Sequence, residues 1–356
     1  MKKYILIVFV LSFSFSSVSF GNQWINPKEV IGDPMIARLQ QGKKELTDWE
    51  KEDIKKYGYT GLELMTYVDD NVEPGTTDFE AFERFIQVSA DGNVKLFEVV
   101  KKLKYYYKDN RALLTHDDIR PGDIENKRIA VTLNPPNRRG VGFLVLTYLD
   151  SEKISKEDDG WIWSSTQRKI RRYATNAKED GVEGSDITLD DFNLREPWED
   201  DHRILGEDRF RGYTCLVVES KNRLDPNYYL SKRATWVEIK NFIDIHEEQF
   251  DREGKLIKVA DKDWRQVKPW NYWIRWQQNY LNLKTRHRSL YRFFDFIFDQ
   301  GFHDKEFSRK ILEKEHIWRK PKEPFSLDKI LSAPPPEPKI RKEFWDKLGV
   351  DLEVKK

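Results

Sequence analysis

Six histidines, one cysteine and four acidic pairs are the residues here whose types and spacing could do chemistry. His116, His202, His246, His287, His303 and His316 are scattered, and no two share the i,i+4 spacing that lets one helix face hold zinc. With Cys215 alone, no thiolate metal site can be assembled. His246-Glu247-Glu248 is not the two-histidine zinc signature and reads as a solvated strand edge. Gly184-Ser185-Asp186 lacks the second glycine of a nucleophile elbow. Gly140-Val141-Gly142 is a lone GxG with no helix after it, which argues against a dinucleotide site. Asp69/Asp70, Asp158/Asp159, Asp190/Asp191 and Asp200/Asp201 could suggest the paired carboxylates of glycoside chemistry. Aspartate is favoured at turns for backbone reasons, and each pair is read as a turn. Cys215 lies in the apolar stretch YTCLVVE and reads as a core thiol. The expectation is a protein that is not an enzyme and takes no metal and no cofactor.

A different kind of site is suggested by WIWSSTQRKIRRY at 161–173, where two tryptophans precede a dense basic cluster. Arg168, Lys169, Arg171 and Arg172 form one such cluster; Lys284, Arg286, His287 and Arg288 form another. Such groups either pair with acids across strands or form a basic rim for lipid headgroups or an acidic partner. The whole chain carries 62 basic and 61 acidic residues, so no global field draws it to nucleic acid. Charged residues at 35% stand beside 12 Trp, 15 Tyr and 21 Phe. Half-buried strands use aromatics well, and aromatics also line greasy clefts.

The elements that must position these residues are mostly strands. Thr47-Asp48-Trp49-Glu50 is a capping-box pattern with Gly58 as a stop, which predicts a charged surface helix between them. LELMTYVDD at 62–70 predicts a second helix burying Leu62, Met65 and Leu64. From about residue 79 the apolar period becomes two, in IAVTLN at 129–134 and again in later segments. Asp251-Arg252-Glu253-Gly254 reads as a hairpin turn, and residues 304–316 as a helix capped by Asp304 that buries Phe307, Ile311 and Leu312. Strands at turn-length spacing without intervening helices argue an antiparallel meander of about ten strands.

Several pieces then fall in the order of a known family. LMTYVDD, NVKLFEVVKKLKYYYKD, RIAVTLNPPNRRGVGFL, WIWSSTQRKIRRY, GSDITLDDF, TWVEIKNFIDIHEEQFDREGKLIK and LKTRHRSL through FDQGFHDKEF span residues 62–316. Their ordered set resembles the LolA-like outer-membrane lipoprotein-sorting proteins, although Ser164-Ser165 stands where the family has Leu-Pro. The resemblance implies a mainly β fold with short helices, its curved antiparallel sheet forming a half-open β-barrel. It also implies a soluble periplasmic carrier for acyl chains of lipoproteins or lipids, moving them toward the outer membrane. Its partners would include an inner-membrane transporter and an outer-membrane receptor. A non-enzymatic envelope scaffold or polysaccharide-binding protein is the alternative.

The domains read as 1–21 signal peptide, 22–61 helical extension, 62–318 half-barrel and 319–356 Pro-rich tail. That tail carries IRKEFWDKLG at 340–349, where Ile340, Phe344 and Leu348 recur as the stripe of a docking helix. Cavity candidates are Val131, Leu133, Phe143, Val145, Trp161, Trp163, Leu216, Val218 and Trp236, all assigned to central strands; alternation does not say which face a cavity. Rim candidates are Arg168, Arg171, Arg172, Arg286 and Arg288.

At the N-terminus Lys2 and Lys3 precede a short apolar run, with Ser19 and Gly21 placed for cleavage before Asn22. The run is shorter than the ~20 residues of a spanning helix. N-terminal sequencing of the protein recovered from a soluble envelope fraction should therefore start near Asn22. Retention of Met1 in a carbonate-resistant membrane pellet would overturn this.

Overall fold

The computed structural model describes residues 45–72, 76–106, 120–149, 156–173, 178–192, 195–269, 272–314, 318–322 and 337–354. The signal-peptide reading, much of the N-terminal extension and most of the Pro-rich stretch lie outside the described residues.

Among the described residues thirteen strands form one antiparallel sheet, against about ten expected. In chain order they are β1 (Asp78–Val88), β2 (Val94–Tyr105), β3 (Ile124–Asn134), β4 (Gly142–Tyr148), β5 (Asp159–Ser164), β6 (Lys169–Tyr173), β7 (Asp200–Phe210), β8 (Tyr213–Asn222), β9 (Leu230–Glu238), β10 (Ile243–Asp251), β11 (Leu256–Val267), β12 (Tyr272–Asn282) and β13 (Arg288–Phe298). The spatial order is β6-β5-β4-β3-β2-β1-β13-β12-β11-β10-β9-β8-β7. One meander runs outward from β1 to the β6 edge. The other starts at the opposite edge, β7, and returns to pair β13 with β1. The result is an open, curved sheet, as the half-open barrel reading requires. Bulges at Ile204/Gly206, Asp244/His246 and Asp263/Trp264 bend the β7–β12 half.

Both faces carry buried apolar clusters, so each has a cover. On the inner face, α1 (Asp48–Tyr57) and α2 (Gly61–Val72) lie at the β7 side. Leu64, Tyr67 and Val68 of α2 pack on Ile204, Leu216, Val218 and Val237. The start of α2 abuts β7 so closely that a Cβ on Gly61 would lie 2.8 Å from the His202 carbonyl carbon. Met65, expected inside, is only half-buried. The capping box and the left-handed Gly58 stop of α1 form as read, but this helix is not merely a solvated surface. Its Glu50 and Asp53 are buried, and Asp53 accepts the Ile204 N–H at 3.1 Å.

Between β6 and β7 the chain crosses the inner face from one edge toward the other. It carries α3 (Leu189–Phe192) and buries Ile187 with Phe85, Val99, Ala260, Tyr280 and Tyr291, while Phe192 packs half-buried on them. On the outer face, residues 302–314 and Trp318 cover β1–β5. The helix expected over 304–316 is instead a turn of 3-10 helix at Asp304–Glu306, capped by His303, and α4 (Arg309–Leu312). Breaking at Phe307-Ser308 lets Phe307, Leu312 and Trp318 all reach Phe82, Val100, Ile129 and Leu144. Lys104 and Lys127 hold Asp304 at 2.9 and 3.2 Å, and Lys102 holds Glu306 at 2.9 Å.

The segment 337–354, with α5 (Lys342–Lys347), docks on the outer face of β7–β11 of its own sheet. Phe344 and Trp345 enter a cluster with Phe210, Trp236, Phe250 and Leu256. Trp345 Nε1 donates to Glu248 at 2.5 Å, and Arg341 meets Asp208 at 2.9 Å. Leu348, the third residue of the expected stripe, is exposed, and Trp345 takes its place. Trp345→Ala should lower unfolding free energy by about 3–5 kcal/mol, whereas Leu348→Ala should stay within about 0.5 kcal/mol. Denaturant titration of both variants checks this; a near-neutral Trp345→Ala would detach the strap from the fold.

Candidate functional site

The inner face of β7–β12 is where a half-open barrel would hold an acyl chain, and here charges fill it. Arg233, Lys258, Lys262 and Arg275 point inward from β9, β11 and β12, and Asp244, Glu247 and Gln249 from β10. The crossing segment supplies Asp190 and Asp191, so this acidic pair lies buried in a short helix, not at a turn. Asp190 takes the guanidinium of Arg233 and the hydroxyls of Tyr228 and Tyr229. Asp191 takes Lys258 and Gln249, each at 2.5 Å. Lys262 bridges Asp244 and Glu247, both at 2.7 Å, and Arg195 binds Asp200 at 2.6 Å. Burial alone would raise the Glu247 carboxyl, but Lys262 and Arg233 outweigh it and hold the group below the ordinary carboxylate range. Asp190 is lowered in the same way, burial being overcome by Arg233 and Arg195. Removing one partner of such a pair leaves a buried charge, so the network is all-or-none in construction.

The setting of His246 also differs from the sequence reading. His246 and Glu248 are fully buried, not on a solvated edge. Burial opposes the charge on His246, yet hydrogen bonds with Asp261 and Glu248 win and raise its pKa. His202 lies 2.8 Å from the Ser220 hydroxyl and 2.7 Å from the Pro197 carbonyl. Donation from Nε2 to Pro197 leaves Nδ1 to accept from Ser220. The pair borders a closed space of about 30 Å³ beneath α2, lined also by Arg195, Arg233 and Glu247. That is room for ordered water. Cys215 is buried as expected, its thiol pushed up to about 12 by burial.

A larger hollow, about 480 Å³, opens on the outer face at the β5/β6 edge. Trp161 and Ile170 give it an apolar wall; Arg172, Arg309 and Lys310 give it three cations beside Glu313. Alternation places Trp161 and Trp163 on one face of β5, and the pairing Trp161↔Arg172 puts that arginine beside the ring. The guanidinium carbons of Arg172 and Arg309 lie 6.0 and 5.9 Å from the Trp161 ring centroid. Arg172 also pairs with Asp159. Helix α4 reaches this edge because Gly142 leaves space for Leu312; a Cβ there would be 3.0 Å from the Leu312 side chain. The space is of ligand-cleft size, and its mix of indole and cations suits an anion carried on an apolar body.

Of the cavity candidates, Val131, Leu133, Trp161 and Trp163 share the outer-face cluster that continues from this hollow under α4. The two tryptophans lie on β5, next to the edge strand and not central. Phe143 and Val145 face the other way, opposite Ala130 and Arg128. Leu216 and Val218 pack under α2. Trp236 is fully buried beneath α5, its Nε1 donating to Asp208 at 2.8 Å. The nine are not brought together in one space. Among the rim candidates Arg172 lines the hollow. Arg168 lies in the β5–β6 turn at φ 50°, and Arg171 lies exposed on the opposite face, across from Ile162. Arg286, at φ 61°, pairs with Glu337 at 3.3 Å, and Arg288 opens β13; neither lines the hollow. Sequence reasoning missed Arg309 and Lys310. Their signal was present, since burying Ile311 and Leu312 turns both outward, but nothing local says which strands α4 overlies.

The fold is LolA-like. A DUF1329 family protein from Desulfovibrio piger is similar over 75% of this chain and 100% of its own, with a TM-score of 0.60 at 19% identity. An outer membrane lipoprotein-sorting protein domain, so named, from Vibrio parahaemolyticus is similar over 71% of this chain and 98% of its own, with a TM-score of 0.58 at 20% identity. A family model described only as "Uncharacterized protein" matches residues 125–314, more than half of the chain, and the chain belongs to that family. No curated protein matches the sequence. Among the described residues no helix is long and apolar enough to cross a membrane.

The inner face carries one further test. Lys101 is buried beside Glu83, its Nζ 4.5 Å from the Phe293 ring centroid, and burial lowers its pKa to about 8. A lysine depressed on folding binds protons more weakly in the native state, so stability rises with pH from about 8 to the unfolded value of 10.5. Wild type should gain on the order of 3 kcal/mol over that window relative to a Glu83→Gln/Lys101→Met variant. Parallel denaturation curves across pH 7–11 for the two proteins would refute the depressed lysine.

Proposed function

We propose that the protein is a periplasmic carrier of acyl-bearing cargo, a lipid or lipoprotein, and that the outer-face hollow is where cargo is engaged. The observation that carries this reading is the hollow itself, an indole wall with Arg172, Arg309 and Lys310 around it on a LolA-like sheet. An acyl chain against Trp161, and beyond it toward Trp163 and Leu146, gains ~0.8 kcal/mol per buried CH₂. The cations hold a negatively charged headgroup, arginine through its two-pronged fork. The inner face of β7–β12 is assigned no cargo, because an apolar chain there would strip buried charges of their partners. The likeness to a domain named for lipoprotein sorting supports the carrier class. The work done is binding and release, with no covalent step. Onward transfer to the outer membrane belongs to the same reading.

Arg172→Gln/Arg309→Gln/Lys310→Gln should weaken binding to vesicles of anionic phospholipid at least ten-fold, and raising salt should weaken wild type likewise. Binding to purely zwitterionic vesicles should change little. All three side chains are exposed or edge positions, so the thermal midpoint should hold. Unchanged anionic binding by the folded variant sinks the headgroup assignment. Native mass spectrometry showing bound glycan and no lipid would move the reading to an envelope polysaccharide binder.

A further inference from the structure

The open sheet has two edges, and they are treated differently. On β7 the outward main chain is occupied by side chains from both covering segments. Asp53 accepts the Ile204 N–H at 3.1 Å, Trp49 Nε1 donates to the His202 carbonyl at 3.4 Å, and Arg341 donates to the Arg209 carbonyl at 3.1 Å. On β6 the described residues supply nothing of the kind: its main chain pairs with β5 on one side only. An edge left this way is a template for another strand.

The side chains of β6 narrow what that strand can be. From Gly160 to Tyr173 there is no acidic residue, and Arg168, Lys169, Arg171 and Arg172 lie within five positions. Lys169 and Arg171 project on the face opposite the lipid hollow, since they pair with Ser164 and Ile162, whereas Arg172 pairs with Trp161. A second copy of this chain is a poor fit. Centred antiparallel pairing of two β6 strands would place Arg171 against Arg171, and like charges directly opposite destabilise a sheet. The same repulsion guards the edge against self-association and leaves it open to carboxylates.

We propose that β6 is a docking strand for an extended acidic segment of a partner polypeptide, which adds to the sheet by main-chain hydrogen bonds. About five partner residues span it, at ~3.3 Å each. Alternate side chains of the partner meet Lys169 and Arg171 on one face, which sets a preference for Asp or Glu at every second position. This surface is separate from the hollow, so peptide and lipid binding have different determinants.

The probe is a ten-residue synthetic peptide of alternating Glu and Thr, added to the full chain at low salt. Amide hydrogen exchange across residues 169–173 should slow at least ten-fold on binding. A peptide of the same sequence with every backbone nitrogen methylated should not bind, because it lacks the donors a sheet needs. Lys169→Glu/Arg171→Glu should abolish the protection, and should that variant lose its thermal midpoint, Arg171→Gln should still weaken it severalfold. Arg309→Gln/Lys310→Gln, which disables the hollow, should leave it intact. Equal binding of the N-methylated peptide reduces the site to a charged patch and overturns the proposal. So does binding without slowed exchange at 169–173, or exchange already protected in the free protein, which would mean that another part of this chain covers the edge. Absence of peptide binding overturns it as well.

Discussion

The pairing of β1 with β13 is the constraint from which the rest follows. It seats the first and last strands side by side in the middle of the sheet, so the chain must leave outward and return from the far edge. The connection from β6 to β7 therefore crosses the inner face. That crossing lays Ile187, Asp190, Asp191 and Phe192 over the strands. Once two carboxylates are carried into a buried space, cations must meet them there. Arg233 and Lys258 do so, and their neighbours Glu247, Asp244, Lys262 and Arg275 continue the alternation of sign along the sheet.

Such a network adds little net stability, because desolvation offsets most of the attraction between the ions. Its pairs tie the crossing segment to named positions on β9, β10 and β11. It fills the inner face of β7–β12 with charge, and the hollow with an apolar wall lies on the other face, at the edge where α4 ends and the β5–β6 hairpin leaves an indole half-covered.

The covering segments have a second effect. Helix α1 and the strap 337–354 both reach β7 and occupy its free main chain, while the described residues 302–314 do not do the same for β6. Among the described residues one edge is closed by covering segments, and the other carries only its own basic side chains. The hollow and the open strand therefore occur at the same end of the sheet for one structural reason.

What the sequence by itself determined was local. The capping box of α1, the Asp251–Gly254 turn with Gly254 at φ 81°, the two-residue period and the apolar setting of Cys215 are written in neighbouring residues. The ordered resemblance over residues 62–316 carried the architecture. Tertiary structure decided the rest. Alternation divides a strand into two faces, but it does not say what covers each; Val131 and Phe143 were equal candidates and lie on opposite sides. Asp190 and Asp191 read as a turn and His246 and Glu248 as a solvated edge, and only partners contributed from distant strands make their burial tolerable. Arg172 meets Arg309 and Lys310 across the hollow for the same reason: local preference sets which way each side chain turns, and long-range packing sets what it turns toward.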